Sequence, residues 1–155
     1  MSRTNKIISM TVLLVFACTA FAQETVGALL DAGATKVTKQ GVMDALAGTK
    51  ITGATASGRA EMNIDLKADG VLSGYLVAQS GSISSTVGKW WVEDDGKACV
   101  DEQLVAWNMQ HKECWHTYIH GSQAYRTIGD SADRSAKVIK TDAKVTKIDS
   151  PKKMN

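Results

Sequence analysis

Between Met109 and His120 the chain gathers Met109, His111, Cys114, His116 and His120, soft donors of the type that hold copper or zinc. If residues 114–120 form one strand, Cys114, His116, Tyr118 and His120 share a face, yet strand positions four apart lie about 13 Å from each other. Two such histidines need a further ligand from elsewhere in the fold to share one ion. His111, His116 and His120 are therefore candidate metal ligands only while the cysteines stay reduced.

The compartment decides the state of those cysteines. Arg3 and Lys6 give a positive start, Ile7 to Phe16 form an apolar run, and Ala20-Phe21-Ala22 has the small-x-small form of a signal-peptidase site. The reading is a signal peptide over 1–22, cut before Gln23, and a periplasmic or secreted mature domain over 23–149. The apolar run stops well short of the ~20 residues of a membrane span, so no stable span is expected in the mature form. Val15-Phe16-Ala17-Cys18 also resembles the lipobox of bacterial lipoproteins, with Phe16 where that motif wants a small residue. After cleavage only Cys99 and Cys114 remain, and an even count in an oxidising compartment predicts one disulfide. Closing so short a loop removes about 3 kcal/mol of unfolded-state entropy.

Trp90, Trp91, Trp107 and Trp115 make a dense aromatic set that demands either a core or a ligand wall, because each indole buries a large area and its N–H needs a partner. These four and Tyr118 are the candidate ligand-binding residues, with Tyr75 and Tyr125 as possible additions to a cleft. Nucleophilic signatures are absent: Ser80-Gly81-Ser82 and Gly121-Ser122 read as turns and lack the G-x-S-x-G elbow. The Glu93-Asp94-Asp95 carboxylates have no calcium-loop spacing, and Gly48, Gly53 and Gly58 form no phosphate loop. An envelope hydrolase would have to use His116 or His120 with a carboxylate brought near by the fold. No cofactor is implied.

Charge narrows the partners. The formal charge of +2 falls to zero once Arg3 and Lys6 leave with the signal peptide, so no electrostatic footprint for nucleic acid remains. Lysines 137, 140, 144, 147, 152 and 153 crowd the end of the chain, but Asp142 and Asp149 interrupt them and no aromatic is interleaved. The expected partner is a small apolar ligand or an envelope protein.

Two short helices over residues 24–47 come first, the second capped by Thr38 and ended by Gly48. From Thr49 the period changes to two. Glu61 to Lys67 alternates strictly, Asp69-Gly70 turns, and a two-residue loop sets Leu66 opposite Ser73, Ile64 opposite Tyr75 and Met62 opposite Val77. Thr86 to Glu93 and Lys97 to Trp107 form a second hairpin. A two-residue loop there places Val92 opposite Cys99, whereas a three-residue loop with Gly96 left-handed places Trp91 opposite it. Cys114 to His120 and Gln123 to Ile128 follow, then one or two strands within 137–148 and a frayed tail over 150–155. The fold class is mainly β, an antiparallel meander forming a small barrel or sandwich after one or two short helices.

Gly88-Lys89-Trp90-Trp91-Val92, Asp95-Gly96-Lys97-Ala98-Cys99, Trp107 and Cys114-Trp115 together resemble a family of small proteobacterial secreted proteins built on a domain of unknown function. The resemblance spans about residues 35 to 130. It implies a β-rich periplasmic domain with a disulfide and carries no activity with it. Gly88-Lys89-Trp90 also resembles the glycine-x-tryptophan of lipocalins, although there the motif opens the first strand and here it lies mid-chain.

Overall fold

Two threonines start the two helices. In the computed structural model, which describes residues 25–148, Thr25 caps α1 (Val26–Asp31) and Thr38 caps α2 (Lys39–Leu46). Each hydroxyl accepts from the backbone N–H three residues on, satisfying one of the free donors of the first turn. The segment read as a signal peptide and the tail over 150–155 lie outside the described residues. Between the helices runs a strand of two residues, β1 (Thr35–Lys36), that the helical reading of 24–47 did not include.

The remaining chain forms β2 (Thr49–Ala54), β3 (Ala60–Leu66), β4 (Val71–Ala78), β5 (Ile83–Val92), β6 (Ala98–Leu104) and β7 (Met109–Trp115). It then forms β8 (Thr117–His120), β9 (Gln123–Thr127), β10 (Val138–Lys140) and β11 (Lys144–Lys147). All pairings are antiparallel. Strands β2 to β7 pair in chain order and β11 adds to β2, giving a seven-stranded sheet; β1, β8, β9 and β10 form a second sheet of four. Neither sheet closes on itself, so the mainly β fold is sandwich-like rather than a barrel.

The β3–β4 hairpin differs from the expected register by one residue. Lys67 and Val71 bracket a three-residue loop ending in Gly70 at φ +86°, which pairs Leu66 with Leu72, Ile64 with Gly74 and Met62 with Leu76. A one-residue slip exchanges the faces of a strand, so Leu72 and Leu76 point to the core while Ser73, Tyr75 and Val77 face outward. At the β5–β6 turn Gly96 is left-handed at φ +83° and Trp91 stands opposite Cys99, the three-residue alternative.

Two strand boundaries also depart from expectation. The segment read as one strand from Lys97 to Trp107 ends at Leu104; a turn through Asn108, at φ +47°, returns the chain as β7 along β6. Asparagine tolerates this conformation better than other non-glycine residues. The segment read as a strand from Cys114 to His120 breaks at His116, where the chain leaves the seven-stranded sheet for the four-stranded one.

Each sheet has its own apolar core. Val42 of α2 packs among Ile64, Leu66, Leu72, Leu76, Trp90, Val92, Val100 and Leu104 on the inner face of the large sheet. The small sheet covers a lesser core of Val26, Leu29, Ala34, Tyr118 and Val138.

Candidate functional site

Neighbouring residues on a strand face opposite ways, so Trp90 and Trp91 have different surroundings. Trp90 turns inward, is 4% exposed, and donates its indole N–H to the Lys67 carbonyl at 2.8 Å. Its backbone N–H donates to the Gly70 carbonyl, so β5 is tied twice to the β3–β4 turn. Trp91 turns outward and is half-buried, with the Lys112 ammonium 5.9 Å from its ring centroid.

Trp90, Trp91 and Val92 border a groove of about 340 Å³ that is open to solvent. Met43 and Lys39 of α2 form one bank, and Ala68, Asp69 and Gly70 of the β3–β4 turn form the other. Lys39 is held by Asp94 at 2.8 Å, and that hydrogen bond holds the Asp94 carboxyl below its ordinary value. The result is an apolar floor with a cation and a carboxylate at its margins.

The other expected ligand residues lie elsewhere. Trp107 sits in the β6–β7 turn and donates its indole N–H to Ser82 Oγ at 2.8 Å. Trp115, at the end of β7, stacks under the Arg126 guanidinium 5.0 Å away, which in turn bonds Glu113 at 2.9 Å. Both tryptophans pack against the larger core. Tyr118 is buried in the smaller core, and burial pushes its phenol up.

Cys99 and Cys114 form the disulfide, joining directly opposed residues of β6 and β7 whose Cα atoms are 4.1 Å apart. Cys114 borders a second groove of about 310 Å³ whose rim is charged through Lys112, Glu113 and Asp130.

The three histidines occupy three environments. His116 is 2% exposed at the junction of the sheets, its Nε2 3.6 Å from Asp95 Oδ2 and its Nδ1 without a partner. Burial, reinforced by Lys36, pushes its imidazole below the ordinary value, so it is neutral at pH 7. His120 is exposed at the end of β8, opposite Gln123. His111 faces Glu102 across the β6–β7 ladder, Nδ1 to Oε1 at 3.0 Å. Among the described residues no three His, Cys, Asp or Glu side chains converge to hold a metal.

Sequence reading missed the pairing of Thr86, Glu102 and His111. Glu102 is buried, its Oε2 accepts the Thr86 hydroxyl at 2.5 Å, and its hydrogen bond to His111 raises that imidazole above the ordinary value. Only a β6–β7 hairpin register could have revealed it. A hydrolytic histidine would need a nucleophile on its other nitrogen; the hydroxyl in this cluster is spent on Glu102 instead. Comparison with family models, curated proteins and solved structures returned no match to this chain.

Proposed function

We propose that the chain is a secreted, non-enzymatic binding domain that takes an extended, partly apolar segment of an envelope protein into the Trp90–Trp91 groove. The observation that carries this reading is the groove itself, where half-buried Trp91 and Met43 lie between Lys39 and Asp69 in about 340 Å³. Small-molecule sites enclose most of their ligand, whereas an open groove of this kind suits a chain segment that runs on beyond it. That favours the protein partner over the small apolar ligand. Trp91 supplies a rigid amphipathic contact of the kind that dominates binding hot spots. The basic, apolar and small-x-small N-terminal pattern and the disulfide support an extracytoplasmic setting.

The test is an immobilised library of short peptides probed with the disulfide-bonded protein. Peptides pairing an apolar centre with charged ends should be retained, and Trp91→Ala or Met43→Lys should each weaken retention about ten-fold or more. Gln110→Ala, on the exposed β7 edge strand, should leave it unchanged. Retention that survives both groove variants would remove the groove from the function.

A further inference from the structure

The outer face of the large sheet carries an apolar patch that nothing in the described chain covers. Val71 and Tyr75 of β4, Ile83 and Val87 of β5 and Val105 just after β6 are 40–60% exposed. They are contiguous: Val77 pairs with Ile83, Tyr75 with Ser85 and Ser73 with Val87, while the Val105 N–H donates to the Ser85 carbonyl. Monomeric proteins seldom leave so many large apolar side chains together on one flat face without an occupant.

The charges around the patch indicate which occupant. At one corner stands Glu61, next to Val77 in the ladder. At the diagonally opposite corner stand Lys89 and Lys112, flanking Asp101 in the row that begins at Val71. Among the described residues none of Glu61, Lys89 and Lys112 forms an ion pair. A two-fold axis lying across the other diagonal of the face brings each copy's Glu61 over the other's lysines. It also crosses the strands of the two sheets at close to a right angle, one of the two packing classes for stacked sheets.

Size agrees with this. Five strands spaced ~4.8 Å apart, over eight residues of ~3.3 Å rise, cover roughly 600 Å² per copy. Two copies would bury about 1,200 Å², the lower end of a standard specific interface.

We propose that the outer face of the large sheet from β3 to β7, centred on the apolar residues of β4, β5 and β6, is a self-association surface on which a second copy of this chain packs face to face. The occupant is another copy because the charge pattern of the patch is complementary to itself. Trp91 lies on the same outer face, two positions beyond Lys89 and beside Lys112, so Ile83→Lys and Val87→Lys, which leave Trp91, Met43 and Lys39 in place, are the variants that separate this surface from the groove.

Sedimentation velocity on the disulfide-bonded protein over a concentration series should show a reversible monomer–dimer equilibrium. Val87→Lys, and separately Ile83→Lys, should raise the dissociation constant about ten-fold or more, with an unchanged melting temperature at dilutions where the wild type is monomeric, since both side chains are exposed. Glu61→Lys should weaken the dimer, and combining it with Lys89→Glu and Lys112→Glu should restore it. A chain that stays monomeric at about 1 mM would overturn the proposal. So would a dimer indifferent to Val87→Lys and Ile83→Lys, or a charge reversal without rescue.

Discussion

A cystine between directly opposed strand residues adds nothing to the ladder the strands already form; its effect falls on the unfolded chain. Replacing both cysteines, Cys99→Ser with Cys114→Ser, should therefore lower the free energy of unfolding by about 3 kcal/mol, read from the urea midpoint at an unchanged native spectrum. A midpoint that does not move would mean the unfolded ensemble is already constrained there. Two imidazoles then set the pH response. His111, raised above 6.5 by Glu102, contributes stability that is full below 6.5 and is lost as pH rises through its folded value. His116, held below 6.5 by burial, contributes stability that is full above 6.5 and is lost as pH falls through its folded value. Asp94 and Asp95, both lowered from 3.8, stay ionised between pH 5 and 7.5 and do not interfere. On going from pH 7.5 to 5, His111→Gln should lose melting temperature relative to wild type and His116→Leu should gain it. Parallel slopes for the two variants would contradict the assignment.

Turns fix how the elements meet, and the β5–β6 turn does so by contact as well as conformation. A Cβ at Gly96 would lie 2.5 Å from the Val37 carbonyl, whereas one at Gly81, with nearly the same positive φ, would meet nothing within 4 Å. Gly81→Ala should therefore cost only the left-handed backbone penalty of about 1–2 kcal/mol, and Gly96→Ala clearly more, because the chain entering α2 must shift. Equal losses in urea would show that this turn does not brace the helix. The Thr38 cap and the place of the Gly96 turn were legible in the sequence, since each rests on a residue with one strong local preference, although the turn left its two registers open. The β3–β4 register was not, because Val71-Leu72-Ser73-Gly74-Tyr75-Leu76-Val77 is apolar on both alternating sets and pattern alone cannot choose the inner one. The set that lost the core is the exposed patch proposed to self-associate. The site was half legible for a similar reason: composition singled out Trp90 and Trp91, but Met43, Lys39 and Asp69 reach them from two other elements, which only the topology brings together. The break at His116 carries no glycine or proline, so the sheet switch left no local mark.

At the scale of the whole molecule the two sheets are unequal partners. The large sheet and α2 bury ten apolar residues, whereas the small sheet and α1 bury five. What joins them is mostly polar: the Arg126–Glu113 pair at 2.9 Å, and Lys36 at 4.0 Å and His116 at 3.6 Å from Asp95. Such links add little cohesion beside apolar burial, so the small sheet should open locally before the molecule unfolds. Native-state hydrogen exchange should then give lower opening free energies for Tyr118, Ile119 and Tyr125 than for Leu72, Leu76 and Trp90. Leu72→Ala, at a residue 1% exposed, separates this from a single cooperative unit. Leu72 stays packed while the small sheet is open, so the variant should lower protection of the slowest amides in β4 to β6 by about 2–5 kcal/mol and leave β8 and β9 unchanged. A loss shared equally by all five strands and their neighbours would show that the cores stand or fall together. In that case the buried His116, lying between them, would be a brace for the whole fold and not for one sheet.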